Sequence, residues 1–133
     1  MAKEDRFRLS VVTPERAAWE GEVRFVAVPA HDGEIGFLAH RAALIAKLAA
    51  GPLRIETADG KTETLFVDGG FAEMLGNRLT VLTEEARPVE DLDRAAAEKQ
   101  LAEARAMSAV DDEAFAERQR ALRKAREELR LID

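Results

Sequence analysis

The side chains best suited to chemistry are few and scattered along the chain. His31 and His40 fall in one turn-rich stretch with Asp32, Gly33 and Glu34. Such a set could ligate a metal, but these two histidines have no ligand-spacing signature, and solvent-exposed loop residues fit the pattern better. Ser10 and Ser108 have no neighbouring base, so nucleophilic catalysis has no support. Gly69-Gly70 resembles the start of a phosphate loop, yet no Gly-Lys-Ser/Thr follows. Two glycines entering a strand fit a sharp bend or bulge instead. The lone Trp19 reads as a core or interface side chain. Cysteine is absent, which removes disulfides, thiolate metal sites and cysteine nucleophiles together. No catalytic or metal site is legible, and no cofactor is implied. The chain reads as one that works by binding partners.

The totals agree. At 133 residues the chain has the length of one ordinary domain, or of a small domain with an appendage. Hydrophobic residues are 47% and charged residues 35%, the balance of a folded protein. A formal net charge of −6 lacks the basic footprint of a general nucleic-acid binder. No apolar stretch approaches the ~20 residues that cross a bilayer, and the charged start Met1-Ala2-Lys3-Glu4-Asp5-Arg6 does not read as a signal peptide. The expectation is a soluble chain whose membrane association comes through partners.

Two halves follow different rules. Up to about Glu85, Phe7, Leu9 and Val11 alternate with Arg6, Arg8 and Ser10, as in a half-buried strand. Val23–Val28 and Leu53–Ala58 are further strand candidates. Asp59-Gly60 and Gly76-Asn77 mark hairpin turns, the first before Lys61–Val67 and the second between Phe71–Leu75 and Arg78–Thr83. The Ala-rich segment Ala42–Ala50 is compatible with helix or strand. Beyond Arg87-Pro88 the pattern changes, and from Asp91 to Asp133 there is neither Gly nor Pro. Helix formers dominate there, and Asp111 is placed to cap a second helix. The expected organisation is α+β: a β-sandwich over 1–87, then a helical hairpin over 88–133 with helices at roughly 91–107 and 112–131. Phe115, Leu122, Ala125, Leu129 and Ile132 form a seam on the second helix, with Arg118 its one charged member. Ala97, Leu101, Ala104 and Ser108 form a thin seam on the first. So little apolar area predicts weak docking of one helix on the other.

Placed in order, these features resemble the epsilon subunit of the F-type ATP synthase. Val12-Thr13-Pro14-Glu15-Arg16 is similar to that family's opening. Asp32-Gly33-Glu34-Ile35-Gly36-Phe37-Leu38 resembles its Glu-Gly-Glu-Leu-Gly loop, with Leu44-Ile45 at two apolar positions that follow. Asp68-Gly69-Gly70-Phe71-Ala72-Glu73 resembles its Ser-Gly-Gly-x-x-Glu element. Val81-Leu82-Thr83, Asp91-Leu92-Asp93 and Leu129-Arg130-Leu131-Ile132 resemble its last strand, the start of its hairpin and its closing helix. Each motif alone is weak, but together they are specific and span the chain.

The resemblance implies a flattened β-sandwich carrying a helical hairpin, in a subunit that is not itself an enzyme. It implies attachment to the gamma subunit and to the c ring of a proton-translocating synthase, at the cytoplasmic face of an energy-transducing membrane. It implies rotary coupling and restraint of ATP hydrolysis, with the hairpin extending to the catalytic beta subunits. Carried onto this sequence, the c-ring contact falls on Asp32, Gly33, Glu34 and Arg41. The inhibitory contact falls on Arg118, Arg120, Arg123, Lys124 and Arg126, five cations with no acid among them between positions 118 and 126. The sequence also departs from the family. Its Pro-Gly-His-x-Pro-Leu stretch reads Ala39-His40-Arg41-Ala42-Ala43-Leu44 here. Some members bind ATP through Leu/Ile-Asp-x-x-Arg-Ala; Leu92, Asp93 and Ala97 are retained, but Ala96 replaces the Arg, and Arg94 lies about 200° away around the helix. Arg87 and Glu128 also differ in sign from the expected ligands, so a nucleotide site at Asp93 and Ala97 is doubtful. Two other readings stay open: a β-sandwich ligand-binding module with a helical oligomerisation tail, and a stand-alone nucleotide sensor. The 5% aromatic content weighs against a carbohydrate platform, and Ala96 weighs against the sensor.

Overall fold

The computed structural model describes residues 5–132; the charged start Met1–Glu4 and the closing Asp133 lie outside them. The chain divides into two compact units that meet at Pro88 and Val89. The first holds seven strands: β1 (Phe7–Val12), β2 (Ala17–Ala30), β3 (Gly33–Phe37), β4 (Leu44–Thr57), β5 (Thr62–Leu75), β6 (Arg78–Leu82) and β7 (Ala86–Pro88). β1 pairs with β6 in parallel and with β2 antiparallel, so the order β1-β6-β5-β4-β2 returns on itself. β3 is added outside β2, and β7 outside β5. This is a β-sandwich whose layers are joined through long strands, followed by two helices: the α+β class.

Alternation builds the core. Phe7, Leu9 and Val11 of β1 are buried against Val23, Val26 and Val28 of β2, while Arg8 stays outside. Phe37, Leu53, Ile55, Met74 and Leu79 belong to the same cluster. The Ala-rich stretch is strand from Leu44 onward, with Ala46 and Leu48 inside and Ile45 and Lys47 outside. Pairing with β5 from Leu44↔Met74 through Leu48↔Gly70 overrides the helical propensity of alanine there.

Gly69 and Gly70 mark the point where β5 changes partner. Val67 and the residues before it pair with β7, whereas Phe71 and the residues after it pair with β6. Both glycines have left-handed φ, +73° and +102°. A Cβ on Gly70 would lie 1.8 Å from the Leu82 carbonyl oxygen.

The second unit begins with a 3-10 turn, Val89–Asp91, then α1 (Arg94–Arg105) and α2 (Asp112–Ile132). Asp93 is the N-cap of α1 and accepts from the Ala96 N–H, so the helix begins later than position 91. Asp111 accepts from the Ala114 N–H at 2.7 Å and caps α2. Ala97 and Ala104 of α1 and Leu122 and Ala125 of α2 are buried, and Leu129 and Ile132 are half-buried. Two seam assignments differ from the sequence reading. Phe115 is exposed, and Ser108 lies in the connection beyond α1. Glu128 is buried instead, at the position one helical step beyond Leu122 and Ala125.

Candidate functional site

The turn between β2 and β3 carries the first predicted contact. Asp32 and Gly33 stand exposed at its tip, where Gly33 takes a φ of +127°. Residues 30–35 face Leu44–Lys47 across an open groove of about 570 Å³. Glu34 is not a free charge. Its carboxylate accepts from Arg54 Nη2 at 2.7 Å and Nε at 3.0 Å, a two-pronged pair across β3, β2 and β4. The hydrogen bonds and the charge of Glu34 raise the Arg54 guanidinium above its ordinary pKa. Both side chains are about half exposed, so the pair contributes ~1 kcal/mol or less to folding; its effect is to fix the direction of Glu34. His31 lies beside this groove, whereas His40 sits on the far connection between β3 and β4, so the two histidines do not share a site.

Arg41 belongs to that connection and is held locally. Its guanidinium donates to the Gly36 carbonyl at 3.2 Å and stacks over the Phe37 ring, 5.2 Å from the centroid. Thus Asp32, Gly33 and Glu34 come together at one turn, while Arg41 is anchored at the opposite end of β3.

The five cations of α2 separate into two sets. Arg118 is half-buried and donates to the Arg105 carbonyl at 3.3 Å, satisfying an unpaired acceptor at the C-terminus of α1. Lys124 is likewise half-buried. Arg120, Arg123 and Arg126 are exposed and fall within a 120° arc at 100° per residue. Glu127 pairs with Arg130 through two hydrogen bonds, at 2.6 and 3.1 Å. The doubtful nucleotide residues are engaged elsewhere: the Asp93 carboxylate caps α1, and Ala97 is fully buried. Calorimetry of the chain with millimolar ATP is therefore expected to give no saturable heat. A saturating isotherm would assign the helical unit a nucleotide site.

One surface escaped the sequence reading. On the outward face of β4, β5 and β6, Phe71 lies opposite Leu82 on one side and Lys47 on the other. Both apolar side chains are largely exposed, at 52% and 53%, and Ile45 and Leu75 on the same face are exposed at 66% and 60%. Glu73, Thr80 and Arg78 stand among them. The available signal was parity: Phe71 and Leu75 share their side of the strand with Glu73, while Ala72 and Met74 fill the core.

Comparisons with known proteins match this arrangement. Residues 6–89 match the family described as ATP synthase, Delta/Epsilon chain, beta-sandwich domain. The chain is 45% identical to an ATP synthase epsilon chain of Rhodopirellula baltica over 92% of this chain and 95% of that one. It is 44% identical to that of Carboxydothermus hydrogenoformans, over 76% of this chain and 75% of the relative. Among solved structures, a chain of the Euglena gracilis mitochondrial ATP synthase, in an OSCP/F1/c-ring assembly, is similar with a TM-score of 0.78 and 26% identity. That match covers 92% of this chain and 78% of that chain. A chain of the Tetrahymena thermophila mitochondrial ATP synthase central stalk and c-ring shares the fold, with a TM-score of 0.74 at 11% identity over 99% of this chain and 100% of that one. From the sandwich strands to the helices, the chain belongs to the ATP synthase epsilon chain family.

Proposed function

We propose that this chain is a non-catalytic central-stalk subunit of a proton-translocating F-type ATP synthase, joining the rotor shaft to the c ring and restraining ATP hydrolysis. The observation that carries this reading is the outward face of β4, β5 and β6. Four large apolar side chains exposed together on one sheet face are an interaction surface rather than a solvated one. Its occupant is the gamma subunit, with Lys47, Glu73 and Arg78 supplying polar contacts among the apolar ones. The Asp32–Glu34 turn and Arg41 face the c ring. Among the described residues no helix is long and apolar enough to cross a membrane. Attachment at the cytoplasmic face of the energy-transducing membrane comes through these partners.

The direct test is reconstitution. Purified full-length chain is expected to co-purify stoichiometrically with a rotor of gamma subunit and c ring, and failure to bind that rotor overturns the proposal.

The restraint on hydrolysis is assigned to α2. Its exposed Arg120, Arg123 and Arg126 meet an acidic segment of the catalytic beta subunits, an electrostatic contact weakened by salt. Arg118 and Lys124 contribute less, because both are half-buried and Arg118 serves the α1 terminus. Neutralising Arg120, Arg123 and Arg126 to Gln should raise ATP hydrolysis by the assembled enzyme about five-fold and flatten its salt dependence. Rotor attachment should persist. If removing residues 88–133 activates hydrolysis while the triple variant stays fully restrained, the charges are a solvated face.

A further inference from the structure

The Gly76-Asn77 turn does more than reverse the chain. Gly76 and Asn77 have φ of +58° and +60°, the pair of left-handed residues of a type I′ hairpin turn. Glycine at position 77 would serve that turn equally well. What asparagine adds is a carboxamide, and both ends of it are used on distant segments. Its Oδ1 accepts from the His40 N–H at 2.8 Å, and its Nδ2 donates to the Arg6 carbonyl at 2.8 Å. Its own carbonyl accepts from the Arg8 N–H at 3.2 Å. One residue therefore ties the start of β1, the β5–β6 turn and the β3–β4 connection together.

The tie to His40 matters because His40 is itself left-handed, with φ +64°. A side chain with a Cβ is disfavoured there. The chain keeps the glycine-like backbone while carrying a histidine. The Asn77 Oδ1 is placed to hold that strained residue, and with it the exposed Leu38 before it and Arg41 after it.

We infer that Asn77 is a positioning residue: its carboxamide oxygen fixes the β3–β4 connection in the shape that presents Leu38 and Arg41 to the rotor. The inference rests on the function proposed above. Two substitutions separate positioning from turn-making. Asn77→Gly keeps the turn and removes both side-chain bonds, whereas Asn77→Asp keeps the acceptor for His40 and removes the donor to Arg6. A third variant, Asn77→Gly with His40→Gly, removes the strain that the bond opposes.

The measurement is affinity of the full-length chain for the purified rotor of gamma subunit and c ring, alongside hydrogen exchange at the His40 amide in the free chain. Failure of the unaltered chain to bind would count against the proposed function, not against Asn77. Given wild-type binding, Asn77→Gly should weaken it about three- to ten-fold and speed His40 exchange, from loss of the tie that holds His40. Asn77→Asp should bind within about two-fold of wild type despite any loss of thermal stability, and the double variant should recover most of the affinity. Wild-type binding by Asn77→Gly overturns the inference. So does a loss in Asn77→Asp as large as that in Asn77→Gly, because the role would then be stability alone.

Discussion

Gly70→Ala is expected to cost at least about 3–5 kcal/mol of folding free energy, enough to remove much of the stability of a typical domain. Two effects combine. The φ of +102° is a conformation that L side chains rarely adopt, and the added methyl would lie 1.8 Å from the Leu82 carbonyl oxygen, with the Thr83 Cα only 2.9 Å away. Both obstacles are backbone at the end of β6, where no side chain can swing aside. Gly33→Ala is the control. Its φ of +127° is also unfavourable, but no atom lies within 4 Å of the new methyl, so the cost should stay near ~1–2 kcal/mol. Chemical denaturation of both variants decides the matter. Equal midpoints would mean that β5 and β6 can separate at the crossing without penalty.

Phe71→Asp should act on assembly rather than on folding. Phe71 is half exposed and loses one cross-strand apolar contact with Leu82, worth about 0.2–1 kcal/mol to the free chain. At the interface proposed for the gamma subunit, the same change removes an aromatic anchor and buries a carboxylate amid Ile45, Leu75 and Leu82. Truncating a central anchor alone costs about 2 kcal/mol or more, and the buried charge adds to it. Rotor affinity should fall at least about 100-fold with the unfolding midpoint nearly unchanged. An affinity within a few-fold of wild type would show that the gamma subunit does not use this face.

Much of the fold was legible because strands with one buried side write an alternating pattern. β1 displays it in Phe7, Leu9 and Val11, and Asp59-Gly60 and Gly76-Asn77 announce their turns. β4 was ambiguous because alanine at 46, 49 and 50 satisfies a helix as readily as a crowded sheet. Only its pairing with β5 decides. β7 was hidden in Ala86–Pro88, which reads locally as the end of a domain and becomes strand through pairing with Leu65–Val67. On α2, Phe115 obeys the spacing of the seam yet stands in solvent, being in the first turn, where the chain enters the helix. Glu128 has the opposite problem: its type suggests a solvated face, but its phase with Leu122 and Ala125 buries it. For the sites, the Asp32–Glu34 turn was visible as a motif. The Arg54 clamp on Glu34, the split of the α2 cations and the apolar face around Phe71 each depend on neighbours distant in sequence.

The return of β6 to β1 also sets the order in which this protein can be made. β1 and β2 pair as an antiparallel neighbour set soon after both are synthesised, but the parallel partners of β1 begin only at Arg78. A nascent chain therefore carries an open β1 edge until nearly the whole sandwich has left the ribosome. Pairing strands so far apart in sequence is a long-range contact of the kind that slows folding. During that interval the unpaired flank of β1 is an edge open to mispairing with another chain.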